Sequence, residues 1–242
     1  MKLLCLGDSI TRAQVSADYT AILRDRLPRF TVVGSGVNHE MSAGLLARLD
    51  TAVAARPDVV TVLIGTNDLR HALDPRDADA LTKRWGLTGP HDADAYCAHL
   101  SGIATRLRDE TGARVALISP PVLGEDPGSP AMALAAEYAD ITREVATEHE
   151  VAYLPLHERM LELLGDGGPR YRTGAVYAAR AAIRHFVLRQ GFDTVSRSRG
   201  LRLTTDTVHL NGVGARLVAD LIAGFALAPA PFAPAGAPTI NR

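Results

Sequence analysis

The chain of 242 residues predicts a three-layer α/β/α sandwich around a mostly parallel five-stranded sheet. Three observations lead there. Short apolar runs alternate with longer stretches whose apolar residues recur every three to four positions. The short runs are continuous in Val, Leu and Ile rather than alternating, as in parallel strands covered on both faces. The strand-then-helix order repeats along the chain, and right-handed crossovers then build a doubly wound sheet.

The predicted strands are Lys2–Leu6, Phe30–Val33, Val59–Ile64, Arg114–Ser119 and Val151–Leu154. Helical spacing covers Tyr19–Leu27, then Ser42–Ala55 with Leu45, Leu46, Leu49 and Val53 on one stripe. It covers Asp94–Glu110, which Gly112 closes, and Ala131–His149. A last helix, Gly212–Phe225, starts behind Asn211, a good N-cap. Two segments break the rhythm. Residues 70–91 read as a polar loop containing Trp85, and residues 165–203 read as an insertion with a helix near Ala175–Arg189. One domain over 1–227 is expected, with those two insertions. Residues 228–242, rich in Pro and Ala, form a tail expected to be unfolded or draped.

A formal net charge of −1 argues against general nucleic-acid affinity. Cys5 and Cys97 lack any paired spacing and fit buried thiols of a reducing compartment. The first residues carry one lysine and four apolar residues before Gly7-Asp8, too short for a signal segment, and no stretch approaches a membrane span. A cytoplasmic location is the expectation. Of the remaining histidines, His71, His91, His99, His149, His157 and His185 show no paired spacing, and "HERML" at 157–161 lacks the second histidine of a zinc motif. No metal and no organic cofactor is expected.

In open α/β sheets, ligands bind beyond the carboxyl ends of the strands. "LLCLGDSITR", residues 3–12, runs an apolar strand straight into Gly7-Asp8-Ser9. By itself Ser9 reads equally as a turn or cap residue. "VVGSGVNHEMS", 32–42, ends the second strand; "VLIGTNDLR", 62–70, ends the third; "TTDTVHLNGVG", 204–214, sets Asp206 three residues before His209.

With Gly7-Asp8-Ser9, Gly65-x-Asn67-Asp68 and Asp206-x-x-His209 in that order, the chain resembles the SGNH, or GDSL-type, hydrolase family over about residues 2–226. Each block alone is weak; together, at strand ends, they are specific. The resemblance implies a flavodoxin-like fold and hydrolysis of a carboxylic ester through an acyl-enzyme. It assigns Ser9 as nucleophile, His209 as base and Asp206 as the carboxylate that orients the imidazole. A serine hydroxyl is a poor nucleophile without an adjacent base, histidine titrates near neutrality, and a carboxylate on the far ring nitrogen fixes the tautomer. The resemblance also assigns an oxyanion hole to the Ser9 N–H, the Asn67 amide and a backbone N–H after the second strand. Each such donor is worth on the order of 3 kcal/mol of barrier. The family usually has glycine at the last place; ungapped from Val32-Val33 it falls on His39, and Gly36 takes it if the loop shifts by three.

Asp68 reads as a structural residue bonding loop amides. Asp8, Gly65 and Trp85 are candidate substrate contacts, with a plain turn role equally open to Asp8. Between residues 170 and 202 lie Arg170, Arg172, Arg180, Arg184, Arg189, Arg197, Arg199 and Arg202, with Asp193 as the only acid of that stretch. A solvated face with snorkelling stems is the favoured reading; a cationic rim for an anionic substrate is the other. A small-molecule ester, first of all an O-acetyl group on a carbohydrate or other polar metabolite, is the expected partner. Thioesters, lysophospholipids, acyl transfer to an acceptor other than water, and a non-catalytic effector- or nucleotide-binding module remain alternatives. "GSG" at 34–36 motivates the last.

Overall fold

A computed structural model describes residues 1–74, 91–165, 167–172, 187 and 189–229. Trp85, most of the helix expected near 175–189 and all but the start of the tail lie outside these residues.

Five strands, β1 (Lys2–Gly7), β2 (Thr31–Gly36), β3 (Val59–Leu63), β4 (Arg114–Ile118) and β5 (Ala152–Leu154), pair in the order β2-β1-β3-β4-β5, every pair parallel. The chain steps from β1 outward to β2, then crosses back to β3 on the other side. Gly7 registers with Gly36 on one flank and with Leu63 on the other, so the carboxyl ends of these three strands finish side by side. This is the switch point at which an open α/β sheet leaves a crevice.

Ten helices occur among the described residues: α1 (Ser9–Arg12), α2 (Tyr19–Arg26), α3 (Ser42–Ala47), α4 (Asp50–Ala54), α5 (Thr66–Leu73), α6 (Ala93–Thr111), α7 (Pro130–Glu148), α8 (Leu156–Leu164), α9 (Phe192–Ser198) and α10 (Gly212–Leu227). Alternate strand residues face opposite layers. Leu3, Cys5, Val59 and Ile118 pack with α2, α8 and α10. Leu4, Leu6, Val60, Val62 and Leu117 pack with α3, α6 and α7. The core is therefore two apolar slabs with the sheet between them, as the continuous apolar runs predict. Among the described residues no helix is long and apolar enough to cross a membrane.

Besides the short helices α1 and α9, which were not expected, three elements differ from expectation. The single helix expected over 42–55 breaks at Arg48, which leaves helical geometry as its guanidinium reaches Glu40 and the Ser35 carbonyl. α5 occupies the start of the expected polar loop, running through Arg70 to Leu73. α8 went unassigned, although Leu156, Met160 and Leu164 recur every fourth residue and are all buried.

Candidate active site

Ser9 opens α1 immediately after β1. Asp8 is the N-cap of that short helix, its Oδ1 accepting the Ile10 N–H at 2.9 Å. The turn lies tightly on the end of β2: a Cβ at Gly36 would stand 2.3 Å from the Arg12 nitrogen and 2.5 Å from the Asp8 carbonyl oxygen. Gly36 is thus explained by close backbone approach. His39, three residues on, is exposed and takes φ +62°, a left-handed conformation for which glycine is better suited. The Val37 N–H donates to the Gly7 carbonyl and the Glu40 N–H to the Val37 carbonyl, which folds this loop against the Ser9 turn.

Asn67 belongs to the first turn of α5, directly after β3. Gly65 precedes it at φ +117°, and a Cβ there would press within 3 Å of the Tyr96 ring and Pro120. Asn67 Nδ2 donates to the Glu40 carbonyl at 2.9 Å and to Asp8 Oδ2 at 3.3 Å, while Asn67 Oδ1 accepts from Arg70 Nη1 at 3.1 Å. Asp68 takes both the N–H and the hydroxyl of Ser42, and so holds the start of α3 against α5.

The third component has no strand beneath it. Residues 204–210 form a loop closed by one antiparallel bridge between Thr204 and Leu210. Leu210 is pinned from β1's side of the molecule: its N–H donates to Ser16 Oγ and its carbonyl accepts the Ala17 N–H. The buried Glu125 carboxylate accepts the N–H groups of Arg202, Leu203 and Thr204 together with the Thr204 hydroxyl. In this frame Asp206 accepts the backbone N–H groups of Val208 and His209 at 3.2 and 2.8 Å, and its Oδ2 lies 2.8 Å from His209 Nδ1. His209 Nε2 lies 3.0 Å from Ser9 Oγ, across 200 residues of sequence. With Nδ1 turned to a carboxylate, Nδ1 carries the proton and Nε2 is left to accept one from the hydroxyl.

The two carboxylates of the site differ in kind. Burial pushes Asp206 upward, but the His209 charge and the hydrogen bonds from His209 and Val208 outweigh it and hold the carboxyl below its ordinary value. Asp8 is as deeply buried, with fewer donors, and burial raises it to about 7. Burial likewise lifts Asp68 to about 6. Among the described residues no group of three His, Cys, Asp or Glu side chains is placed to hold a metal ion.

Ser9, Asn67, Asp206 and His209 therefore meet in one place, with Asp8 bonded to Asn67, Gly65 against Tyr96 and Pro120 just before Asn67, and His39 in the neighbouring loop. Where described, arginines of the insertion bond protein groups: Arg170 the Asp126 carboxylate, Arg199 the Thr205 carbonyl and Arg202 the Leu164 carbonyl. Sequence reasoning missed Glu40, Arg70 and Glu125. Arg70 had a usable signal, since helical spacing puts it one turn beyond Asn67; Glu125 carries none, because its partners are distant in sequence, and Glu40 meets Asn67 through its carbonyl, which no side-chain pattern announces.

The fold is shared with solved structures of low sequence identity. A catalytic mutant of Axe2, an acetylxylan esterase from Geobacillus stearothermophilus, superposes with a TM-score of 0.67 at 18% identity, covering 92% of each chain. The acetyl xylan esterase AlAXEase gives 0.65 at 22% identity, covering 94% of this chain and 100% of that one. LAE5, an α/β hydrolase from the metagenome of Lake Arreo in Spain, gives 0.65 at 20%, covering 92% and 93%. No curated protein sequence matches. The GDSL-like lipase/acylhydrolase family model matches residues 5–217, and the chain belongs to that family of ester-hydrolysing enzymes.

Proposed function

We propose that this enzyme is a serine esterase that removes a small acyl group, first of all an O-acetyl group from a carbohydrate or other polar metabolite. The observation that carries the reading is the continuous contact from Ser9 Oγ through the His209 ring to Asp206 Oδ2. Ser9 Oγ attacks the ester carbonyl as its proton passes to His209 Nε2, and Asp206 stabilises the imidazolium. The carbonyl π electrons move onto oxygen, where the N–H of Ser9, the Asn67 amide and the His39 N–H stabilise the charge. His209 returns the proton to the departing alcohol, leaving Ser9 acylated. Water then repeats the sequence with His209 as base, and the acid leaves. Acetyl as the acyl group draws support from the acetylxylan esterases among the proteins of the same fold.

A fluorophosphonate probe tests the nucleophile, and acetyl, butyryl and octanoyl p-nitrophenyl esters beside acetylated xylo-oligosaccharides and acetyl-CoA test the substrate. The wild type is expected to be labelled once and to favour acetyl esters. Ser9→Ala is expected to lose labelling and about 10⁴-fold or more in kcat. Hydrolysis unchanged in Ser9→Ala defeats the serine mechanism; a preference for octanoyl ester or acetyl-CoA defeats the O-acetyl reading.

A further inference from the structure

An asparagine amide offers two hydrogens on one side and an acceptor on the other, and a half-turn about its last bond exchanges them without changing shape. Oxyanion stabilisation needs the N–H side to face the reacting carbonyl, so something must choose between the two orientations. At Asn67, which is almost fully buried, the choice is made by three neighbours. The Glu40 carbonyl and Asp8 Oδ2 lie beside Nδ2; the carbonyl only accepts, and the Asp8 carboxylate only accepts while it is ionised. Arg70 Nη1 lies 3.1 Å from Oδ1, and a guanidinium only donates. With Asp8 ionised, turning the amide over would oppose two acceptors to its oxygen and a donor to its NH₂, losing all three bonds.

Arg70 is itself held. It stands one helical turn beyond Asn67 on α5, and its Nε donates to the Tyr171 hydroxyl at 3.1 Å. Tyr171 belongs to the segment that crosses over Gly124: a Cβ on that glycine would meet the Tyr171 nitrogen at 2.3 Å. The next residue, Arg172, donates its N–H to the Thr207 hydroxyl inside the histidine loop. The guanidinium therefore sits between the oxyanion side and the loop that carries His209. Its permanent charge beside Oδ1 also draws electron density from the amide and strengthens the Nδ2–H donors.

We propose that Arg70 is a positioning residue for transition-state stabilisation, braced by Tyr171 and acting through Asn67, whose amide it holds with Nδ2 on the side of Asp8, the residue before Ser9. This rests on the esterase reading of Ser9 and Asn67. It predicts that Arg70 matters only while Asn67 is present, which a four-member cycle on p-nitrophenyl acetate can read: wild type, Arg70→Met, Asn67→Ala and the double variant, with active sites counted by fluorophosphonate labelling.

Arg70→Met lowers kcat per labelled site on the order of 10- to 100-fold with KM within about twofold, and Asn67→Ala lowers it about 100- to 1000-fold. The double variant stays within about threefold of Asn67→Ala, because the loss is shared rather than added. Tyr171→Phe costs about threefold in the presence of Asn67 and nothing in its absence. If Arg70→Met fails to fold, Arg70→Lys and Tyr171→Phe carry the same cycle. A merely structural Arg70 would lower the melting temperature and the labelled fraction but leave kcat per labelled site unchanged, which overturns the proposal. Additive losses in the double variant, or a change confined to KM, overturn it as well. Those outcomes leave the esterase reading standing; a wild type that neither labels nor hydrolyses any ester defeats that reading, and this inference with it.

Discussion

The Ser9 turn and the histidine loop meet at one hydrogen bond but are held by different means. The turn is placed by the sheet. Ser9 and Asn67 follow adjacent parallel strands, β1 and β3, and β2 pairs with β1 on its other flank, its Gly36 against the turn. The histidine loop is placed by side chains, with no strand under residues 204–210 and the Glu125 carboxylate, Ser16 and one bridge supplying its frame. Backbone ladders are set by the fold as a whole and resist single substitutions; a frame of a few buried polar groups hangs on each of them. The two halves of the site should therefore fail differently.

Glu125 gives the largest contrast. Glu125→Ala leaves the N–H groups of Arg202, Leu203 and Thr204 and one hydroxyl in a buried place without their acceptor. Unsatisfied buried donors cost about 1–3 kcal/mol each, so a loss of at least ~3 kcal/mol is expected even after water enters. Denaturant unfolding checks this. In addition kcat per labelled site should fall by about tenfold or more, since a small displacement of a reacting group is costly. Stability lost with kcat intact would mean that Ser16 and the Thr204–Leu210 bridge hold His209 without help, and the contrast would collapse.

The same difference decided what could be read in advance. The strands were legible because Val and Leu runs report burial on both faces, whereas Ser9, Asn67 and the Asp206-x-x-His209 pair were pointed to by the family resemblance, and the structure brings them together. Glu125 was not, since nothing near it in sequence shows that its partners lie some 77 to 79 residues on. The break at Arg48 was hidden likewise: the apolar stripe from Leu45 to Val53 is unbroken, and the pull comes from Glu40 and Ser35. α5 was lost for another reason, in that Gly65-Thr66-Asn67-Asp68 has the composition of a turn and the helix begins inside it.

The halves also titrate in opposite senses. Asp8 has an ordinary value of 3.8 and is raised by burial to about 7 when folded. Between those values the folded state keeps a proton that the unfolded state has lost, so stability from this group is complete below about pH 4 and is lost as pH rises to about 7. Asp206 is lowered, so its contribution is present above its ordinary value of 3.8 and is lost as pH falls below it. Asp8→Asn should remove the first dependence and leave the second. Relative to wild type, the variant should gain about 2 kcal/mol between pH 5 and pH 7, read from denaturant midpoints at both pH values. Asp68, raised to about 6, keeps a residual slope of the same sign in both proteins. Parallel pH profiles for wild type and variant would show that Asp8 is not the group being neutralised.

The smallest expected effect concerns a left-handed residue in each half: His39 at φ +62° beside the Ser9 turn and Thr207 at φ +70° in the histidine loop. Thr207 is fully buried and bonded through its carbonyl to Gly124 and through its hydroxyl to Arg172, so its conformation is enforced from outside. His39 is exposed on a loop held by backbone bonds at Val37 and Glu40. His39→Gly relieves a conformation costing about 1 kcal/mol but gives the unfolded chain about as much additional freedom, so stability should change by no more than about 0.5 kcal/mol. Glycine retains the backbone N–H, so kcat on p-nitrophenyl acetate should stay within about threefold of wild type. A loss of two orders of magnitude would mean that the imidazole of His39, rather than its N–H, meets the substrate. The Ser9 side would then depend on a side chain as much as the histidine loop does.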